Sequence, residues 1–592
     1  MSTTITKNLR LLKYLWKFAP ALIIWKTLLM FVNIFINIIF NVLFIQYLVA
    51  SMESGEDFNR VLVVILLVAV MMLISSVIDS IFEKYIVPVS KKKIHKGLHN
   101  LIFEKVTKID LEKYDNTEFY NDYIWALDQA DERVIKSFYI LIDFVTAVLT
   151  SFSMAVIATM LDAYMLIFAI LPILISVVTS TLISKKEYKY SVDANPINRK
   201  KKYSRRVFYL QQYAKELRTF QIKNLILENF NNSVDQDIKI WKKHSFVFTI
   251  LSIIQKNAQT LFGFILMAIY LSYRIIVQKI FLASTFIALF NAVNNLIYSI
   301  SSIFNVVPQI YQNGLFADKI FNILDCQSMI ELDSGERVEP FKQLEFKNVG
   351  FCYPTSGKEV LKNINFSISK GEKIAFVGQN GAGKTTLVKL IMHLYQPSCG
   401  EILYNGTSVK DLNVYTYRDK FATIFQDFQL YALTLGENIL MKKLSSDDDV
   451  KVQKILKDST LPDLQNKINM SITKEFDQNG LVLSGGQGQK VAIARTLAKD
   501  SEIIIMDEPS SALDPISEEE ILNTIFQNHF DKTIIFISHR LSSIQNFDCI
   551  YFLDNGYITE IGSHNDLMKL KGKYYEMYNT QAKKYKNEEK MQ

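Results

Sequence analysis

All the apolar runs long enough to matter fall before residue ~310, and this confines what the chain can fold into. A helix needs about 20 apolar residues to cross ~30 Å of hydrocarbon. Six segments reach that length: roughly 21–50, 61–83, 138–160, 163–184, 246–273 and 280–307. They explain a mean hydropathy of +0.13, which a soluble chain of 592 residues would not need. With 40 Phe against only 21 Gly and 11 Pro, collagen-like and disordered readings fall away. The first run is too long for a cleavable signal peptide and has no small-residue cleavage pattern. Leu9–Phe18 sets Lys13 and Lys17 among Leu11, Leu12, Leu15 and Trp16. Residues 1–20 therefore read as an amphipathic helix at the membrane surface, ahead of a transmembrane domain at 21–320.

Charge gives an orientation. The link 51–59 carries Glu53, Glu56 and Asp57 and no Lys or Arg, and little beyond Asp162 joins spans three and four. Residues 84–137 and 185–245 are long and basic, with Lys91-Lys92-Lys93 and Arg199-Lys200-Lys201-Lys202. Cytoplasmic loops hold the Lys/Arg excess, so the N-terminus and both long loops are expected inside a plasma membrane. Arg274 and Lys279, near the outer turn between spans five and six, run against the rule. A 50-residue helix would reach ~75 Å, so each long segment is expected to fold back on itself. The net charge of +7 is mild, and basic clusters beside spans fit lipid headgroups rather than nucleic acid.

After a connector at 321–340 the texture changes. Residues 341–582 alternate short β-branched runs (Ile374–Val377, Ile503–Met506, Ile534–Ile537) with helical stretches. This is the pattern of an α/β domain with a largely parallel sheet. A Lys/Glu/Asn-rich tail follows at 583–592. The fold class is thus multidomain: an all-α six-helix transmembrane domain, then an α/β P-loop nucleotide-binding domain. Cys326, Cys352, Cys399 and Cys549 form no CxxC pair and read as small buried residues in a reducing compartment.

The chemistry sits in this second half. Gly378-Gln379-Asn380-Gly381-Ala382-Gly383-Lys384-Thr385-Thr386 follows a strand and matches G-x-x-x-x-G-K-[ST]. Its glycines let backbone N–H groups cradle phosphate oxygens at a helix N-terminus. Lys384 would reach the β- and γ-phosphates, and the Thr385 hydroxyl would ligate Mg²⁺. Ile503–Met506 ends in Asp507 and Glu508; the first suits the metal, the second a general base for the attacking water. The strand at Ile534–Ser538 ends in His539, placed for a γ-phosphate contact. The other six histidines read as structural or solvated.

Leu483-Ser484-Gly485-Gly486-Gln487, just before the acidic strand, divides the P-loop families. With it the whole chain resembles an ATP-binding-cassette half-transporter of the bacterial exporter type. The resemblance implies that Ser484, Gly485, Gly486 and Gln487 close over ATP held by the P-loop of another cassette. It also implies that Tyr353 stacks on adenine and that Gln426 senses Mg²⁺ and water. Ser511-Ala512-Leu513-Asp514 would contact the partner cassette, and Glu475–Gly480 would touch the intracellular loops. Tyr114-Asp115-Asn116 and Tyr203–Tyr213 fall where such proteins place short coupling helices. Gly488-Gln489-Lys490 departs from the pattern, since the family more often has a basic residue earlier. ATP and Mg²⁺ are the implied cofactors, with the lipid bilayer, a transported substrate and a second half-transporter as partners; a homodimer is favoured over a heterodimer. The expected function is ATP-driven export of a hydrophobic or amphipathic substrate (peptide, lipid or drug-like). An importer on the same fold and a non-transporting cassette ATPase or channel are the alternatives. Asn33, Asn37 and Asn41 share one face of the first span, either packing between helices or lining a substrate path. Asp143 and Gln255-Lys256-Asn257 carry the same two readings.

Overall fold

The computed structural model describes residues 2–354, 357–509, 514–529 and 531–589. The chain divides into two compact units, Met1–Thr107 with Asn121–Cys326, and Lys108–Tyr120 with Gln327–Gln592.

The first unit is helical. It comprises α1 (Ser2–Phe18), α2 (Pro20–Ser54), α3 (Phe58–Val106), α5 (Thr117–Asp162), α6 (Leu166–Tyr209), α7 (Ala214–Thr219), α8 (Lys223–Ile276) and α9 (Ala283–Leu324); α4 (Leu111–Asp115) lies in the other unit. Among the described residues, five continuous helical stretches are long and apolar enough to cross a membrane. One of them, Thr117–Tyr209, has 93 residues and holds two helices, because α5 and α6 part only at the turn Ala163–Met165. Asp162 makes that turn by accepting the Tyr164 N–H. Helices are the economical solution in hydrocarbon because they satisfy every backbone group internally. Pro172, Pro196 and Pro308 lie inside these helices without ending them.

The folding-back expected of residues 84–137 is seen: α3 runs on to Val106, a turn and α4 follow, and α5 returns. The second polar segment breaks later than expected. Tyr203–Tyr209 continue α6, and the short elements are a turn at Gln211–Tyr213 and then α7. Helix α9 runs on to Leu324. In α1, Leu11 and Leu15 are fully buried while Leu9 and Trp16 are exposed. Its inner face is pinned to α9 by Lys7–Asp318 at 2.6 Å and Arg10–Asp325 at 2.5 Å.

Helices α5, α6, α8 and α9 share a core in which Met154, Ala158, Met165, Met267, Leu271, Ala288, Ala292 and Val293 are buried. Small residues there let helices approach closely, and Ser151 Oγ donates to Ser299 Oγ at 2.8 Å across the packed helices. By contrast, none of the most apolar window of α3 is buried within the chain. That surface requires a cover of lipid or protein. Arg274, the apparent exception to the charge rule, is neutralised locally: it lies 3.5 Å from the buried Asp162, which also accepts the Tyr270 hydroxyl at 3.2 Å.

The second unit holds two sheets. The first is antiparallel, ordered β2 (Glu359–Ser369), β1 (Gln343–Cys352), β4 (Cys399–Tyr404), β5 (Thr407–Ser408). The second is ordered β10 (Tyr557–Gly562), β9 (Cys549–Asp554), β3 (Lys373–Gly378), β8 (Thr533–Ile537), β7 (Ile503–Asp507), β6 (Phe421–Ile424). From β9 to β6 this sheet is parallel; β7 and β8 are buried along their whole length, and β3 from Ile374 onward. Strands covered on both faces must be apolar throughout, which accounts for the Ile-rich runs. The cysteines depart from expectation: Cys399 is exposed and the other three are half-buried.

Residues 108–120 pack with this unit although they lie between helices of the first. Asp110 accepts hydrogen bonds from Ser328 Oγ (2.5 Å), Met329 N (2.6 Å) and Ile330 N (3.2 Å). Asp115, at the end of α4, accepts the Tyr395 hydroxyl at 2.7 Å. Substituting Asp110→Ala leaves three donors without their acceptor, at a cost of about 1–3 kcal/mol. Hydrogen exchange at the Met329 and Ile330 amides should accelerate about tenfold or more, read by mass spectrometry.

Candidate nucleotide site

Four neighbouring parallel strands end on the same edge of the second sheet, and each delivers one part of the site. Strand β3 runs into the glycine-rich loop and α10 (Lys384–Ile391), and β7 ends in Asp507, with Glu508 the next residue. Two residues beyond β8 lies His539, and two beyond β6 lies Gln426. Ligands of open α/β sheets gather at the carboxyl ends of the strands.

The loop needs its glycines for two separate reasons. At Gly378 (φ +150°) a Cβ would stand 2.2 Å from the Leu553 carbonyl oxygen, so no side chain fits. Gly383 starts α10 in a left-handed conformation (φ +105°) that side-chain-bearing residues resist. Asn380 and Gly381 are exposed at the loop's tip, Ala382 is buried, and Ala382 N donates to the Gln379 carbonyl at 3.2 Å. Lys384 is buried, its Nζ donating to the carbonyls of Gly378 (2.9 Å) and Gln379 (3.1 Å). Burial lowers its pKa, against the opposing pull of Glu508 and Asp507.

Asp507 is wholly buried and neither carboxylate oxygen makes a hydrogen bond of ordinary length. Desolvation pushes its pKa up to about 6, with the nearby Thr385 hydroxyl pulling the other way. A buried, unpartnered carboxylate beside a hydroxyl at a phosphate-binding loop is the donor set a small divalent cation accepts. The residues present therefore fit Mg²⁺.

Glu508 has a left-handed backbone (φ 50°), strained for a residue with a Cβ and characteristic of positions fixed by function. Its N–H donates to the Ile537 carbonyl at 3.0 Å. Its carboxylate is gripped from two sides: Gln426 Nε2 donates to Oε2 at 2.9 Å, and His539 Nε2 lies 2.5 Å from Oε1. The three residues named catalytic from sequence thus meet at one carboxylate. Tyr353 joins the P-loop helix instead through its hydroxyl, 3.1 Å from Thr386 Oγ1, with its ring edge-on to Phe351 and Tyr395.

Ser484 caps α11 (Gly485–Ala498) in a reciprocal capping box with Gln487. Both Ser484 and Gly485 are exposed, so this helix start is an open anion-binding surface. Asp514 caps α12 (Pro515–Asn528) by accepting the Ser517 N–H at 3.0 Å. Ser511, Ala512 and Leu513 lie outside the described residues. Residues 474–479 are exposed, Phe476 at 77%. Two residues escaped the sequence reading. Gln489, buried in the unusual Gly488-Gln489-Lys490 stretch, donates to the Glu508 carbonyl at 3.4 Å and ties α11 to the carboxylate's own backbone. Arg540 pairs with the buried Glu518 at 2.6 Å, anchoring the loop that carries His539 to α12. The departure at 488–490 was a signal for the first; nothing in linear spacing marks the second.

In the membrane half, Asn33 lines a groove of about 470 Å³ with Ser75, Ser76, Asp79, Ser80 and Glu83. The Asn41 carbonyl accepts Asn291 Nδ2 at 2.7 Å, and Asn37 Oδ1 is buried without a partner. Of this face, the Asn33 side chain borders the polar groove, whereas the Asn41 contact is made by its backbone carbonyl. Asp143 and Lys256 are exposed, and Asn257 bonds to its own helix at Ile253.

A family profile described as "ABC transporter" matches residues 361–511. The subtilin transport ATP-binding protein SpaT of Bacillus subtilis is 31% identical over 493 residues, covering 80% of this chain and 77% of that protein. The nisin transport ATP-binding protein NisT of Lactococcus lactis subsp. lactis is 34% identical, covering 62% of each. The ATP-dependent lipid A-core flippase of Escherichia coli K12 is 34% identical over 50% of this chain and 51% of its own length. A solved structure of a bacterial Atm1-family ABC exporter with ATP bound matches with a TM-score of 0.80, covering 95% of this chain and 98% of that one, at 22% identity, and establishes the shared fold. The chain belongs to the ATP-binding-cassette transporter family, as a multi-pass membrane half-transporter of the exporter type whose cassette hydrolyses ATP to drive transport.

Proposed function

We propose that two copies of this chain form a homodimer in the plasma membrane, with the N-terminus and cassettes in the cytoplasm, and export an amphipathic substrate. The Glu508 carboxylate held between Gln426 and His539, beside the P-loop, is the observation that carries the catalytic part. One chain has one P-loop and one signature loop, and the exposed start of α11 is suited to the phosphates of a nucleotide on the other cassette. Lys384, Asn380 and the loop glycines receive the phosphates, with Thr386 and Tyr353 behind them. Thr385, Gln426 and Asp507 would hold Mg²⁺, which supplies positive charge against the β- and γ-phosphate oxygens.

In hydrolysis Glu508 takes a proton from water as its oxygen attacks the γ-phosphorus. The bond to the ADP oxygen breaks, and the proton passes on with the released phosphate. Clamping by Gln426 and His539 fixes the carboxylate before the reaction, so little reorganisation remains. ATP held between two cassettes favours the closed pair by differential binding, and hydrolysis releases it. The polar groove at Asn33 and the apolar surface of α3 support an amphipathic cargo, as do relatives whose names specify subtilin, nisin and lipid A-core transport. Basic inner segments support the orientation. ATP-dependent accumulation in inverted proteoliposomes tests the direction; release from preloaded vesicles instead would establish import.

Two outcomes follow. Glu508→Gln should retain ATP binding but lose turnover by about 10²-fold or more, measured as phosphate release alongside nucleotide retention. Asp507 titrates at about 6 when folded against an ordinary 3.8. Its protonated form is favoured by the fold, so the stability it contributes falls as pH rises between those values, by up to about 3 kcal/mol. Asp507→Asn should therefore raise the cassette's melting temperature at pH 7.5 without magnesium, do so far less at pH 4, and abolish hydrolysis.

A further inference from the structure

His95 and His99 lie four residues apart on α3, in the polar stretch beyond its span, and so share one helix face. Their rings are in contact, with centroids 4.0 Å apart. Asp131, on the returning helix α5, faces them with Oδ2 3.2 Å from His95 Nδ1. Its other oxygen accepts the Glu132 N–H at 3.0 Å, which fixes the carboxylate's orientation. One ligand atom from each of the three residues lies within 4.8 Å of the others, and among the described residues they make the single such cluster of histidine, cysteine and acidic groups.

An ion pair between His95 and Asp131 accounts for two members but not for the third. His99 Nε2 is buried without a hydrogen-bond partner, and its ring is held edge-on against Phe103 at 5.6 Å. Leaving such an atom unmatched costs about 1–3 kcal/mol. A ligand that accepts imidazole lone pairs and a carboxylate removes that cost. Two imidazoles and one carboxylate suit Zn²⁺ and its neighbours Co²⁺ and Ni²⁺, whereas Mg²⁺ and Ca²⁺ prefer oxygen alone. Metal–ligand bonds of ~2.0–2.2 Å bring ligand atoms to about 3.5 Å, so small side-chain rotations close the cluster.

We propose that His95, His99 and Asp131 form a binding site for a divalent transition metal of the zinc class. The site joins α3 to α5 where the chain is about to turn through residues 107–116, and it braces the two arms of that turn. Three protein ligands leave further coordination positions to water or an outside ligand.

The test uses the full-length protein in nanodiscs, free of any polyhistidine tag and of nucleotide, titrated with Co²⁺ at pH 7.5. One Co²⁺ per chain should bind with weak visible d–d bands and no sulfur charge-transfer band, since no cysteine belongs to the set; added Zn²⁺ should bleach those bands. The His95→Gln/His99→Gln pair should abolish the signal, and Asp131→Asn should weaken binding about tenfold or more, each variant keeping wild-type basal ATPase as proof of folding. Wild-type Co²⁺ spectra in the double-histidine variant, a thiolate band, or no stoichiometric binding by the native chain would each overturn the site.

Discussion

Everything chemical in this protein depends on the parallel register of four buried strands. Phe376 of β3 pairs with Ile537 of β8, Ile537 with Asp507 of β7, and Met506 with Ile424 of β6. Because the strands run the same way and stay in step, their ends form one line. Residues more than 150 positions apart, from Gly378 to His539, thereby meet on one edge. The burial of these strands drives their pairing, and it also desolvates Asp507 and Lys384. The hydrophobic term that builds the sheet thus sets the electrostatics of the site.

The helical unit obeys a different constraint. Helices that satisfy their own backbones can expose apolar side chains wherever lipid or another subunit replaces water. That is why α3 buries nothing of its most apolar window, while α9 buries 44% of its own. Charges near the apolar core are admitted in pairs: Arg274 finds Asp162 and Tyr270. A like logic governs α1, whose Lys7 and Arg10 meet Asp318 and Asp325.

Much of this was legible in the linear chain because both codes are local. A run of apolar residues long enough to span needs no neighbours to be recognised, and the glycine-rich loop is one continuous segment. The meeting of Glu508, Gln426 and His539 was foreseeable only in outline, since each sits one or two residues past a recognisable strand. The pairing of Asp110 with residues 328–330, the role of Gln489 and the anchor at Arg540 were not. Each joins segments distant in sequence, and a lone Asp, Gln or Arg has no periodicity to betray its partner. The break at Leu210, placed too early from sequence, shows the same limit: the polar stretch around Tyr203 is equally good helix and turn.

The amino-acid order by itself determined that the first half is helical with several membrane-capable stretches, that an α/β domain follows, and the identities of the phosphate-binding and acidic motifs, because hydrophobic length and local backbone demand are properties of short segments. Tertiary structure alone decided that residues 108–120 pack with the cassette, that Glu508 takes a strained backbone between two clamping side chains, and that two histidines read as ordinary converge with Asp131. Those outcomes arise from contacts between segments brought together by burial, and no segment carries them alone.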